Sequence, residues 1–146
     1  MAAVQDAVAI GAYSTAEFFP NDQIISTAQQ QLFERLVSFS INARRALEIL
    51  NVRNIKMAGS RWKVSAEVSD YNPETDVWQA INAILHARHM QVFVLQRQSE
   101  IMLPPRFEFR FTFLEVQSDR SEKIHVDPFA MTMAYLDAMS GHFPEK

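Results

Sequence analysis

Residues 22–50 read DQIISTAQQQLFERLVSFSINARRALEIL, a run that neither glycine nor proline interrupts. Its apolar positions are Ile25, Ala28, Leu32, Leu36, Phe39, Ala43, Ala46, Leu47 and Leu50. Steps of three and four place them along one side of an α-helix. Asn21 or Asp22 can cap its start, where four backbone N–H groups lack partners. At 1.5 Å per residue such a rod is roughly 40 Å long, about the width of a small domain. The remaining chain must cover its apolar side.

The segments after the rod supply that cover. Asn51 to Asn54 ends the helix, and Ala58-Gly59-Ser60 turns. From Arg61 to Val68 the residues alternate: Trp62, Val64, Ala66 and Val68 share one face, as in a half-buried strand. Asp70-Tyr71-Asn72-Pro73 has turn chemistry. A second helix is predicted from Pro73 to His89, capped by Asn72, with Val77, Trp78, Ile81, Ile84 and Leu85 inward. Met90 to Leu95 is β-like in composition, and whether the helix runs on to Gln98 is open. Leu103-Pro104-Pro105 breaks the chain. The clearest strand follows at 106–116, with Phe107, Phe109, Phe111 and Phe113 on one face. Those rings demand a cover, and the long helix is the expected lid. Lys123 to Val126 suits a short strand. Asp127-Pro128 starts a third helix through Met139, with Phe129, Met133, Leu136 and Met139 inward, and Gly141 ends it.

Residues 1–20 allow either a short strand or a helix start, broken at Gly11, with Phe18 and Phe19 stapled back onto Ile24, Ile25 or Ala28. The sum is a single domain, 1–146, of α+β class. It has two to three helices, one of them long, on one face of a small, mostly antiparallel sheet.

Composition narrows the function classes. The chain has 146 residues, 48% hydrophobic and 21% charged, which is enough for a core. It has no cysteine, excluding disulfides, thiol nucleophiles and cysteine-held zinc. Its first residues read poorly as a signal peptide, and no apolar run reaches the ~20 residues that cross a bilayer. The expected location is the cytoplasm, free of membrane. Glycine occurs only at Gly11, Gly59 and Gly141, too sparsely for a phosphate-binding loop. No pattern demands a metal or other cofactor.

Net charge is −3, yet Arg35 to Lys63 holds seven basic residues against the single acid Glu48. Arg44, Arg45, Arg53, Lys56, Arg61 and Lys63, with Trp62 among them, pair phosphate-binding cations with a ring able to stack a base. That suits single-stranded RNA. Charge complementarity within one fold accounts for the same residues.

Four residues are candidates for acid–base or phosphate chemistry. His86 and His89 are three apart, neighbours on a helix surface, and imidazole serves as a general base near neutral pH. As a pair they could also hold a metal with a third ligand, but placement on the surface or at a helix end accounts for them more simply. Arg120 and His125 are separated by four residues. That spacing resembles the motif of HEPN-type ribonucleases, over two residues only. The resemblance implies a His acting on the RNA 2′-hydroxyl and an Arg holding phosphate, on a helix of an all-helical bundle that often faces a dimer mate. Here the pair falls in a loop or short strand beside a β-rich segment, so the family is not assigned.

Two functions from different classes follow, and whether the chain catalyses anything stays open. The first is a small, non-catalytic cytoplasmic binding domain that associates with protein, as a homodimer, since phenylalanine- and methionine-rich strands and helices can exceed one small core. The second is a nucleic-acid-binding protein or metal-independent ribonuclease using the basic face and a histidine.

Overall fold

A computed structural model describes residues 2–16, 18, 21–57, 70–98, 107–119 and 122–142. The elements in chain order are α1 (Ala2–Thr15), α2 (Asp22–Leu50), α3 (Val77–Leu85), β1 (Ala87–Gln98), β2 (Phe107–Ser118), β3 (Ile124–Val126) and α4 (Pro128–Met139), followed by a short 3-10 turn, Ser140–His142. Four helices pack against a three-stranded antiparallel sheet of order β1-β2-β3. The class is α+β, as expected.

The long helix is unbroken. Asn21 Oδ1 accepts the N–H groups of Gln23 and Ile24 at 3.0 and 3.1 Å. At the other end Asn51 takes the left-handed conformation, φ 55°, and its N–H reaches back to the last carbonyls. Asn is among the few residues that adopt this geometry readily. Ala28, Leu32, Leu36, Phe39, Ala43 and Leu47 are buried, as their spacing predicts, with Ser40 among them. Leu50 lies outside the stripe and is exposed.

The expected lid is corrected. The main neighbours of α2 are α1 and α3, whereas β2 meets α1, α3 and α4. Phe39 still reaches the shared core, edge-on to Tyr135 of α4 with ring centroids 5.1 Å apart. The cover over α2 therefore includes an element that the sequence left undecided: α1, continuous through Gly11. Its Ala3, Ala7 and Ile10 are buried among small residues. Its buried Asp6 carboxylate accepts Arg35 Nη1 at 3.1 Å and Ser38 Oγ at 2.6 Å on α2.

Phe111 and Phe113 do not share a face. Val92 opposes Leu114 but Val94 opposes Phe111, so Phe93 alone faces both Thr112 and Phe113. This bulge on β2 breaks the alternation. Phe111, Leu114 and Val116 join the core, while Phe113 stacks on Phe93 at 4.7 Å outside it. β2 is also not an open edge. β1 pairs along one side; β3 and the backbone of Phe18, bonded both ways to Phe109, pair along the other. Phe18 is thus tied to β2, its ring against Phe111 at 5.2 Å, rather than serving as a simple helix staple.

The second helix is shorter than its sequence suggests. It begins at Val77 because Asp76 caps it, accepting Gln79 N–H at 3.1 Å. Pro73 and Glu74 instead run beside β3, and Met57 N–H donates to Thr75 O at 2.9 Å. It ends at Leu85, and residues 87–98 are strand. In α4 the buried residues are Pro128, Met131, Thr132, Tyr135 and Met139, and Met133 is exposed, reversing part of the expected inward set. The predicted strand at 61–68 and the break at 103–105 lie outside the described residues.

Candidate functional site

Three places gather the candidate residues. The first is a cleft of about 370 Å³ where α2, α3 and the end of the sheet meet. Trp78, Asn82 and His86 follow at intervals of four, so α3 and its C-terminal cap present them on one side of a helix. All three line the cleft, together with Gln79 on α3, Arg44 on α2 and Glu74 ahead of α3. The Arg44 and Arg53 guanidinium carbons stand 5.7 and 5.1 Å from the Trp78 ring centroid. Stacking on a ring holds a guanidinium by its face and leaves its in-plane N–H groups directed elsewhere. Arg44 also approaches Glu48 Oε1 at 3.4 Å. One Glu74 oxygen, Oε1, accepts the N–H groups of Thr75 and Asp76 at 3.1 and 3.0 Å.

The structure unites only part of the basic segment with a histidine. Arg44 and His86 line the cleft with Trp78, while Arg53 stands over the Trp78 ring without lining the cleft. Arg45 lies exposed on α2, with no ion pair among the described residues. Lys56 is paired with Asp76 at 3.0 Å. Arg61, Trp62, Lys63 and Arg120 lie outside the described residues. The two histidines expected on one helix are separated: His86 caps α3, and His89 is exposed on β1, opposite Gln117. Trp78 was expected inward and is half-buried at the cleft wall. Its interval of four to Asn82 and His86 was the signal that could have revealed the cleft.

The second place is the surroundings of His125. The ring sits on β3 fully enclosed, against Tyr71 at 5.1 Å and Phe113 at 5.6 Å. Asn72 N–H donates to His125 Nδ1 at 2.9 Å. That nitrogen therefore holds a lone pair, and the neutral ring carries its proton on Nε2. Nε2 lies 3.4 Å from Glu115 Oε1, near enough for attraction but not aligned as a hydrogen bond. The Lys123 ammonium bonds Asp70 and stands 3.5 Å from the same Glu115 oxygen. The hydrogen bond between them holds the Asp70 carboxyl below its ordinary value and lifts Lys123 above its own.

Donor atoms of Asp70, Glu115 and His125 come within 4.8 Å of one another. A metal-binding imidazole usually donates its second ring nitrogen to an acceptor. Nδ1 here accepts instead, and an ammonium already serves both carboxylates. The group acts as a clasp, joining residues 70–72 to β2 and β3. Enclosure and strand setting also separate His125 from the helical context of the HEPN-type motif.

The third place is the outer surface of α2. Phe33, Val37 and Ile41, at i, i+4 and i+8, line a shallow groove with Glu34, Ser38 and Asn42. Val37 and Ile41 are 41% and 50% exposed. The helix therefore carries a second apolar stripe beside the buried one.

The fold and these surfaces define an α+β domain with a long helix presented outward and a small polar cleft at one end of its sheet. No protein-family model, curated protein or solved structure matches the chain. No described helix is long and apolar enough to cross a membrane.

Proposed function

We propose that the chain is a non-catalytic cytoplasmic binding domain that works as a homodimer, two copies pairing antiparallel along the outer surface of α2. The observation that carries this reading is the stripe of exposed Val37 and Ile41, continued by the half-buried Phe33. An amphipathic helix needs only one apolar stripe to hold its place in a monomer, and a second invites a partner.

Charge favours a second copy as that partner. Glu34 lies at one end of the stripe and Arg45 at the other, both exposed. A two-fold axis at the level of Phe39 and Ser40 sets Glu34 of each copy beside Arg45 of the other. The same axis places Ile41 opposite Ser38 and Val37 opposite Asn42, a large residue against a smaller polar one each time. Closed two-fold pairing of this kind is the commonest oligomer.

Size-exclusion chromatography with light scattering tests the reading. The wild-type chain runs as a dimer. Glu34→Arg and Arg45→Glu each shift it to monomer by placing like charges together, and combining them restores the dimer. A wild-type monomer at high concentration, or single variants that stay dimeric, overturns the proposal.

A further inference from the structure

We propose that the cleft between α2, α3 and the end of the sheet binds a free nucleoside monophosphate, its base edge on Gln79 and Asn82 and its phosphate on Arg44, which lines the cleft, with Arg53, which stands over the Trp78 ring beside it, closing on the same phosphate. The cleft volume of about 370 Å³ lies at the lower end of the range for small-molecule sites, room for one nucleotide. Two guanidinium groups converge on Trp78 from different segments, α2 and the strand-like stretch after it. Guanidinium forks match phosphate oxygens in pairs, a geometry that a lysine ammonium cannot reproduce. Arg53 has no ion pair among the described residues, so its charge is available to an incoming anion.

The α3 wall suits a base. The side-chain amides of Gln79 and Asn82 and the ring of His86 make no hydrogen bond with the described residues. An amide offers a donor and an acceptor side by side, the pattern of an adenine or guanine edge. Among the described residues Glu74 is the one carboxylate lining the cleft. With Oε1 engaged at the start of α3, its second oxygen is left to accept an exocyclic amine. Glu48 offsets part of the charge of Arg44. The cleft is thus close to neutral, which favours a ligand carrying one phosphate and a polar ring over a long polyanion. The acidic net charge of the chain points the same way.

Isothermal titration calorimetry on the full chain decides the matter, with the four ribonucleoside monophosphates, their nucleosides, inorganic phosphate and a short single-stranded RNA as probes. At least one monophosphate binds saturably, and more tightly than its nucleoside or phosphate alone. Its affinity falls with added salt. Arg53→Gln weakens it about tenfold, and Asn82→Ala reduces the preference among bases. Arg53 is exposed, so its replacement leaves the fold intact. Absence of binding by every monophosphate overturns the proposal, as does equal binding by wild type and both variants. Affinity that climbs with RNA length overturns the free-nucleotide reading.

Discussion

Among the described residues Tyr135 is the largest fully enclosed side chain, and its hydroxyl finds no hydrogen-bond partner among them. A buried hydroxyl without a partner forfeits about 1–3 kcal/mol of hydration. Tyr135→Phe keeps the ring against Phe39 and removes that group. The variant is expected to equal the wild type in urea unfolding, or to exceed it by up to about the same 1–3 kcal/mol. Burial also raises the Tyr135 pKa. The folded state then keeps its phenol proton more firmly than the unfolded one, so stability falls as pH rises past the ordinary value of 10.0. Tyr135→Phe should flatten that alkaline decline, and a variant that declines as steeply as the wild type would contradict the assignment. His125 teaches a related lesson. Its interval from Arg120 is visible in the sequence, but its acceptor bond from Asn72 joins positions far apart in the chain, and no local pattern announces such a bond.

At the level of elements, α2 and α4 were legible because each carries both a periodic apolar face and a capping residue: Asn21 for one, Asp127 for the other. The start of α3 was misplaced because Asn72-Pro73 imitates a helix start, while Asp76 does the capping four residues later. Helix α1 stayed undecided because its buried face, Ala3, Asp6, Ala7, Ile10 and Ser14, carries a single large apolar side chain. The C-terminus of α2 permits a direct test. Asn51 holds a left-handed backbone that costs a β-branched residue roughly 1–2 kcal/mol and costs glycine nothing in sterics. Asn51→Val should lower the urea midpoint, and Asn51→Gly should leave it level or raise it. Equal loss in both would show that the side chain, not the backbone angle, matters there.

For the whole molecule, the tie between α1 and α2 decides whether the first fifteen residues belong to the cooperative unit. Asp6 is 3% exposed, and both of its partners lie on α2. Asp6→Ala should cost about 1.5–3 kcal/mol, the usual loss for hydrogen bonds to a charged group, and should speed hydrogen exchange across α1 ahead of the sheet. Uniform exchange throughout the chain would mean that α1 is held by its alanines alone. The general class was readable because long helices and alternating strands announce themselves locally. The cleft was not, because Arg44 and Ser118 approach Trp78 only after the chain has folded. The bulge at Thr112 and Phe113 sets a further condition on the whole. One extra residue there reverses the parity of the central strand, directing Leu114 and Val116 inward where strict alternation would turn them out. An apolar-for-apolar exchange along that strand leaves its two faces where they are, but a single-codon deletion at the bulge would turn its second half inside out; what is guarded at that point is a count of residues as much as their kind.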